Sequence, residues 1–314
     1  MDIRVFQSIF SLFIKISMIS VVSAYYNRRT LLIRTLNSMH SNYGVINFEF
    51  VVVDDGSDEE ERLEDLQPIY PFLRVIRLEK SEKWYSNACI PFNRGFEEAK
   101  GDKIILQNPE CYHFDNVLQY VDQHLKKNDY LSFGCYSLDK ENTDDDRLFV
   151  DRDYISELME NNAHIVQTDG GLGWYNHSKY RPGSYHFCTA LMTSDLVDLG
   201  GFDPRYALGH GYDDDEFVFR VQQKRMHIRF LDMIRVLHQN HYVKQVSIDE
   251  QKEKYRNKKA SRNKSIFDNI TKNSVNHRAN FIAIGNYHQA DQSFVIQAIK
   301  NHFLKISYAI KRKI

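Results

Sequence analysis

The chain has 314 residues, of which 42% are hydrophobic and 26% charged, and its formal net charge is −1. This length permits one large α/β domain with a sizeable core, and the composition excludes an intrinsically disordered chain. The four cysteines, Cys89, Cys111, Cys135 and Cys188, form no CxxC pair. Their spacing argues against a cysteine zinc site and favours free thiols in a reducing compartment.

The stretch from residue 6 to residue 22 is apolar, but polar residues such as Gln7 and Lys15 interrupt it. A membrane-spanning helix needs about 20 mostly apolar residues. We therefore assign its second half to the first core strand and treat residues 1–15 as a separate N-terminal segment. A cleaved signal peptide is the alternative.

Strands alternate with helices over the next hundred residues. The pattern predicts strands at 16–24, 48–55, 73–78 and 103–107, helices at 30–43 and 87–100, and an acidic helix start at 58–65. Such alternation indicates an α/β fold with a mainly parallel, right-handed βαβ sheet.

Polar clusters follow three of these strands, at residues 23–28, 54–57 and 108–110. Ligands of open parallel sheets bind beyond the carboxyl ends of the strands. Asp54 and Asp55 precede Gly56, so two carboxylates at a sharp turn could accept hydrogen bonds from a ribose hydroxyl or a base N–H. A helix cap with a turn is the structural alternative.

Two later segments read as loops. Residues 138–152 are charged and predict an exposed loop, and residues 170–175 form a glycine-rich segment with two aromatics. Trp174 and Tyr175 are candidates for stacking on a sugar ring, under a lid that the glycines would allow. Trp84 is a further candidate, for which core packing is an equal alternative.

Four successive acids occupy positions 213–216, between glycines and the apolar residues 217–219. Placing them together is costly unless a metal, a cation or a proton transfer uses them. A solvated helix N-terminus is the alternative. Downstream, His238 follows a strand-like run, and its imidazole could complete a metal site with Glu110; a structural histidine is the other interpretation.

Five motifs in order resemble the GT-A glycosyltransferases, particularly the inverting family-two type: VVSAYYNR (21–28), VVVDDGS (51–57), NRGFEEAKGD (93–102), GGFD (200–203) and GYDDDEF (211–217). The later part is also similar to the C-terminal module of galactosyltransferase-like enzymes. The resemblance implies a Rossmann-like GT-A sheet flanked by helices. It also implies a nucleotide-sugar-binding half at 16–125 and an acceptor-binding, catalytic half at 126–245.

The resemblance further implies a nucleotide pocket lined by Ser23, Ala24, Tyr26, Asp54, Asp55 and Asn108. Within this set Asp54 contacts the base or ribose and Asp55 supports it. The family usually holds its metal with an Asp-x-Asp motif, where this chain has Asn-Pro-Glu at 108–110. Glu110 and His238, with diphosphate oxygens and water, could still complete an octahedral Mn²⁺ or Mg²⁺ shell.

By the same resemblance Asp214 is the general base of an inverting transfer, and Asp213, Asp215, Trp174 and Tyr175 lie on the acceptor side. The donor is a nucleotide diphosphate sugar, a UDP-sugar by default, and the acceptor a glycan, glycolipid or glycoprotein. No Gln-x-x-Arg-Trp motif is evident, which favours a non-processive enzyme. A non-catalytic sugar-nucleotide or glycan-binding module of the same fold is the alternative function.

Residues 246–314 predict a basic helical extension. Ile299, Phe303, Ile306 and Ile310 recur at helical spacing among lysines, which fits either a membrane-surface helix or an amphipathic helix docked on the domain. We expect a cytoplasmic protein, membrane-peripheral in the first case, and no nucleic-acid partner.

Overall fold

The computed structural model describes residues 17–166, 170–241, 250–273 and 277–279. The N-terminal segment 1–15 and the amphipathic pattern at 296–314 lie outside these ranges. Among the described residues, no helix combines the length and the hydrophobicity that crossing a bilayer requires.

The chain forms one nine-stranded sheet and eight α-helices within the described ranges. The strands are β1 (Ile19–Tyr25), β2 (Phe48–Asp54), β3 (Leu73–Arg77), β4 (Lys103–Gln107), β5 (Cys111–His113), β6 (Asp129–Ser137), β7 (Gly173–Asn176), β8 (Cys188–Met192) and β9 (His227–His238). The helices are α1 (Arg29–His40), α2 (Cys89–Glu98), α3 (Val117–His124), α4 (Lys140–Asp144), α5 (Arg152–Asn161), α6 (Thr193–Leu199), α7 (Asp213–Gln223) and α8 (Glu250–Asn273).

The strand order is β3-β2-β1-β4-β8-β6-β9-β5, and β7 pairs with β6. The α/β fold class is confirmed, with β1 to β4 all parallel to one another. Beyond β4 the sheet is mixed, because β8 runs antiparallel to both β4 and β6. This reversal sets the start of β8 beside the end of β4, where Cys188 is paired with Gln107.

Two core clusters lie on opposite faces of the parallel strands, as the two-residue period of a strand requires. Val21 packs in the first cluster with Leu32 and Leu36 of α1. Its neighbour Val22 packs in the second with Phe92 of α2. The helices therefore cover both faces, which explains why β1 and β2 are almost continuously apolar.

Three expectations about local structure are corrected. Residues 58–65 form two short 3-10 turns, Glu59–Glu61 and Glu64–Leu66, and no α-helix. The stretch 138–152 is no simple exposed loop, since Asp139 caps α4 and Thr143 is buried against residue 240. The second half of the glycine-rich segment, from Gly173, lies in strand β7, where Trp174 pairs with Tyr136 of β6.

The expected helical extension is present in α8. Asn263 anchors it, because its side-chain amide donates to the carbonyls of Tyr206 at 3.1 Å and Gly211 at 2.8 Å. Helix α8 therefore packs on the segment that leads into the acidic start of α7.

Candidate functional site

A buried carboxylate and two imidazoles meet beyond the end of β4. The pairing of β5 with β9 sets Cys111 opposite His238, which fixes Glu110 beside that histidine. Glu110 is fully buried, and its Oε1 lies 3.1 Å from Nε2 of His238 and 3.1 Å from Nε2 of His241. The predicted pair of Glu110 and His238 is thus adjacent, and His241 joins it.

The charge of this cluster is set by Arg28, whose Nη1 lies 2.8 Å from Oε2 of Glu110. Burial alone would raise the pKa of Glu110, but Arg28 and the two imidazoles hold it well below the usual range. Burial lowers the pKa of His238. The cluster therefore offers an ionised carboxylate and a neutral imidazole, the forms that bind metal ions.

The geometry fits a divalent ion. One ligand atom from each of Glu110, His238 and His241 lies within 4.8 Å of the others. Adjacent ligands of an octahedral ion with bonds of about 2.1 Å are about 3 Å apart, close to the 3.1 Å contacts here. Because two of the three ligands are imidazoles, the donor set favours a transition-metal ion over Mg²⁺.

The four acids form the first turn of α7 and have different partners. Glu216 forms a buried ion pair with Arg220, at 2.7 Å between Oε1 and Nε. Asp213 is buried and accepts a 2.8 Å hydrogen bond from Nδ2 of Asn87. Asp215 accepts from the hydroxyl of Tyr185 at 3.0 Å. Glu216 is therefore structural.

Asp214 has the most unusual electrostatics of the four. Burial, with repulsion from Asp213 and Asp215, raises the pKa of Asp214 to about 8. A carboxyl with a pKa near neutrality is suited to accept a proton and later release it, so it is the best candidate for proton transfer in this cluster.

The segment before β8 connects the two clusters. The Phe187 ring lies 5.8 Å from the ring of His238 and 6.1 Å from that of Tyr185, whose hydroxyl donates to Asp215. Between them, His186 interacts electrostatically with both Asp213 and Glu110, although burial lowers its pKa overall. The contacts of Phe187 and Tyr185 therefore connect the carboxylate–imidazole cluster with the acids of α7.

The acids after β2 correct one expectation. Asp54 is fully buried, with Oδ1 accepting from the Ser57 amide at 2.9 Å and Oδ2 from Arg77 at 2.6 Å. Because Asp54 is inaccessible and both of its oxygens are bonded within the protein, it is a turn-forming residue. Asp55 is the more accessible carboxylate, with a side chain that is 13% exposed. The hydroxyl of Tyr85 donates to its Oδ1 at 2.5 Å, and Nζ of Lys83 is paired with its Oδ2.

The other residues expected to contact the nucleotide also differ in how accessible they are. Ser23 is fully buried and donates to the Gln107 carbonyl at 2.7 Å, so its expected place in the pocket lining is corrected. Ala24 is partly buried against the second core cluster, and Asn108 is half-buried. Tyr26 is 42% exposed, with Nζ of Lys83 5.1 Å above its ring.

The two aromatics expected to contact the acceptor are core residues. Trp174 is 6% exposed, and its Nε1 donates to the Ala163 carbonyl at 3.1 Å. Tyr175 is 2% exposed and stacks on Phe187 at 4.9 Å between ring centroids. Pairing of β7 with β6 turns both inward, so neither can stack on a sugar in this structure.

Four contributors to these clusters were not predicted: Arg28, Asn87, His186 and His241. His241 could have been found from its spacing, three residues after His238. His186 lies in a segment without periodicity or a motif, so only the antiparallel entry of β8 reveals its place.

Comparison with known proteins agrees with the expected family. Residues 20–184 match the family model described as glycosyl transferase family 2, and residues 174–245 match the one described as the N-terminal domain of galactosyltransferase. A dolichol-phosphate mannosyltransferase from Pyrococcus furiosus is 32% identical over 118 residues, which are 37% of this chain and 32% of that protein's length.

Two solved structures are similar at lower identity. The mannosyltransferase PcManGT from Pyrobaculum calidifontis, in complex with GDP-Man and Mn²⁺, is 15% identical with a TM-score of 0.45, covering 70% of this chain and 56% of its own. TarS 1–349 from S. aureus in complex with UDP is 17% identical with a TM-score of 0.48, covering 70% and 60%.

Proposed function

The chain belongs to glycosyl transferase family 2, and we propose that it is an enzyme that transfers a sugar from a nucleotide diphosphate sugar to an acceptor hydroxyl. The observation that carries this proposal is the connection between the two clusters. Ring contacts run from His238 through Phe187 to Tyr185, whose hydroxyl donates to Asp215 of α7. Sugar transfer needs positive charge near the leaving diphosphate and a base near the attacking hydroxyl. The two clusters supply these two functions.

Asp214 is the proposed general base. As the acceptor oxygen forms its bond to the anomeric carbon, Asp214 takes the hydroxyl proton, and the bond from that carbon to the diphosphate oxygen breaks. The nucleotide diphosphate leaves with the bonding electron pair. A single displacement of this kind inverts the anomeric centre, and a positioned base contributes about 10²–10⁴-fold to its rate.

Glu110, His238 and His241 are the proposed ligands of a divalent ion, Mn²⁺ rather than Mg²⁺. When bound there, the ion would neutralise charge that develops on the departing diphosphate. Arg28 is paired with Oε2 of Glu110 and offsets the charge of that carboxylate. A bound ion would therefore keep more of its positive charge for the diphosphate.

The proposed donor contacts begin at Asp55. Its carboxylate is oriented by Tyr85 and Lys83. Because an ionised carboxylate has about four acceptor sites, it can still accept a hydrogen bond from a base N–H or ribose hydroxyl. Tyr26 offers an exposed ring for the nucleotide. Asn108 is half-buried two residues before Glu110 and is the proposed contact at the end of β4. A UDP-sugar is the default donor. Because the relative from Pyrococcus furiosus is a mannosyltransferase, a mannose donor is the first comparison.

We also propose a cytoplasmic location. All four cysteines are free and buried, which supports a reducing compartment. The acceptor class that we propose is a glycan, glycolipid or glycoprotein.

The alternative of a non-catalytic binding module has one observation in its favour. In place of the family's Asp-x-Asp motif the chain has Asn108, Pro109 and Glu110, and Arg28 already neutralises the carboxylate of Glu110. A binding module would hold a nucleotide sugar with metal-insensitive affinity and would not turn it over.

A two-step experiment separates these functions. Thermal shift with UDP-, GDP- and dTDP-sugars first identifies the donor, because a ligand that binds only the folded state raises Tm. Release of nucleotide diphosphate from that donor is then measured with Mn²⁺ and with EDTA. Mn²⁺-dependent release supports the enzyme. Tm shifts without any release, in either condition, would leave only the binding module.

A further inference from the structure

A cavity of about 310 Å³ opens between α8 and the segment that precedes α2. One wall is largely apolar and is formed by Trp84, Tyr85 and Leu208. The other wall is α8, which contributes Tyr255, Lys258, Lys259 and Arg262. The volume lies at the lower end of the range for small-molecule sites, so a group of modest size fits.

The cationic wall lacks counter-ions within the described part of the chain. Residues 254–264 include six Lys or Arg and no acid. Lys258, Lys259 and Arg262 form no ion pair with any described carboxylate, and Arg262 donates instead to the Arg205 carbonyl at 2.9 Å. Like charges held together without counter-ions create a potential that attracts an anion.

The cavity adjoins both halves of the proposed active site. Tyr85 lines it and donates to Asp55, the proposed donor contact. Ser86 lines it as well and donates to the Gly209 carbonyl at 3.1 Å, and the next residue, Asn87, donates to Asp213. One short segment therefore connects the cavity with the donor acid and with the acids of α7.

We propose that this cavity binds the phosphate ester of the acceptor, which makes the substrate class a phosphorylated acceptor with an apolar or sugar group next to its phosphate. Lys258, Lys259 and Arg262 bind the phosphate, and Trp84 packs against the neighbouring group. This inference rests on the proposed function, since it names the acceptor class of the same site.

The binding test uses hexyl phosphate, neutral hexyl β-D-glucoside and inorganic phosphate, titrated calorimetrically into the full chain. We expect hexyl phosphate to bind at least about tenfold more tightly than either other probe, since only it satisfies both walls. Its affinity should fall as salt rises. Equal affinity for the charged and neutral hexyl compounds would overturn the proposal. So would competition between hexyl phosphate and UDP, which would assign the cavity to the donor.

A variant pair locates the binding. The double variant Lys258→Glu and Lys259→Glu should weaken hexyl phosphate binding about tenfold or more. The charge-matched control, Lys264→Glu with Lys272→Glu, changes the same helix outside the cavity lining and should bind as the wild type does. If both double variants lost hexyl phosphate affinity equally, the loss would come from the change in net charge, and the proposed site would be overturned.

Donor turnover separates this inference from the proposed function. If Mn²⁺-dependent donor hydrolysis occurs and hexyl phosphate does not bind, the acceptor inference fails while the transferase stands. If hexyl phosphate binds and hydrolysis is absent, the cavity is an anion site and the proposed acceptor role fails together with the transferase.

Discussion

Asn87 and Asp213, 126 residues apart in the chain, are joined by a 2.8 Å hydrogen bond from the Asn87 side-chain amide to Oδ1 of the carboxylate. Both residues are buried. This bond ties the start of α2 to the first turn of α7. A carboxylate that is buried beside two further acids needs this donor, because losing it leaves the charge without compensation.

Replacing Asn87 tests that relationship. Asn87→Ala should lower the free energy of unfolding by about 1–3 kcal/mol, because a buried acceptor loses its partner. It should also slow transfer, since Asp213 adjoins the proposed base. Asn93→Ala is the control: Asn93 is also buried and bonds the Phe202 backbone at 2.8 Å. Urea unfolding should show losses in both variants. If Asn87→Ala transferred sugar at the rate of the wild type, the hydrogen bond between Asn87 and Asp213 would have no part in catalysis.

Asp214→Asn isolates the proposed base. The amide cannot take the acceptor proton, so we expect the transfer rate to fall by about 10²–10⁴-fold. The donor lies on the opposite side of the sugar, so its dissociation constant should be nearly unchanged in calorimetry. If donor binding and transfer were lost equally, the base assignment would be refuted.

The pH dependence follows from the raised pKa of Asp214, about 8 in the folded protein. The base must be ionised, so transfer should decline about tenfold per pH unit as pH falls below 8. The free energy of unfolding should change in the opposite direction to the transfer rate and increase as pH falls. The folded state keeps a proton that the unfolded chain has lost between about pH 4 and pH 8, so raising pH through this window lowers the free energy of unfolding. Denaturation at several pH values should show a flatter profile for Asp214→Asn.

Glu110→Gln tests the carboxylate–imidazole cluster without measuring activity. Removal of the anionic ligand should weaken Mn²⁺ binding by more than about tenfold, since changes to residues that only support metal ligands already cost that much. Mn²⁺ titration followed by electron paramagnetic resonance measures it. Glu49→Gln is a matched control, because Glu49 is another buried glutamate, paired with Arg74 at 2.6 Å. Mn²⁺ affinity that is unchanged in Glu110→Gln would remove Glu110 from the ligand set.

We expect the ion pair between Glu216 and Arg220 to contribute to the free energy of unfolding. Both side chains are 1% exposed, so Arg220→Leu leaves a buried acid uncompensated and should cost about 3–5 kcal/mol. Arg94→Leu removes an exposed pair with Glu98 on α2 and should cost less than about 1 kcal/mol. Comparable losses in the two variants, measured by urea unfolding, would contradict this interpretation.

The first half of the fold could be predicted from its sequence because β1, β2 and β4 are buried along almost their whole length. Such strands read as continuous apolar runs, and β1 to β4 begin and end within three residues of the predicted bounds. Among the later strands, only the end of β9, before His238, was recognised as strand-like. Strand β7 contains Gly173 and Asn176, and only its pairing with β6 makes it a strand.

Residues of the candidate site could be predicted where the type of side chain permits few chemical roles, as for a possible metal ligand. Glu110 and His238 were matched by chemistry, and the structure does bring them to 3.1 Å. Exposure could not be predicted from residue type. Trp174 and Tyr175 are suitable for sugar stacking but face the core, and Asp54 is saturated by Ser57 and Arg77. The partner of a side chain depends on strand direction, which local sequence does not encode.

The antiparallel entry of β8 between two neighbours has an evolutionary consequence. Tyr185, His186 and Phe187 sit directly before its first paired residue, Cys188, so gaining or losing one amino acid here would shift all three relative to Glu110. Selection at these three positions should therefore permit exchange of side chains and oppose any change in spacing.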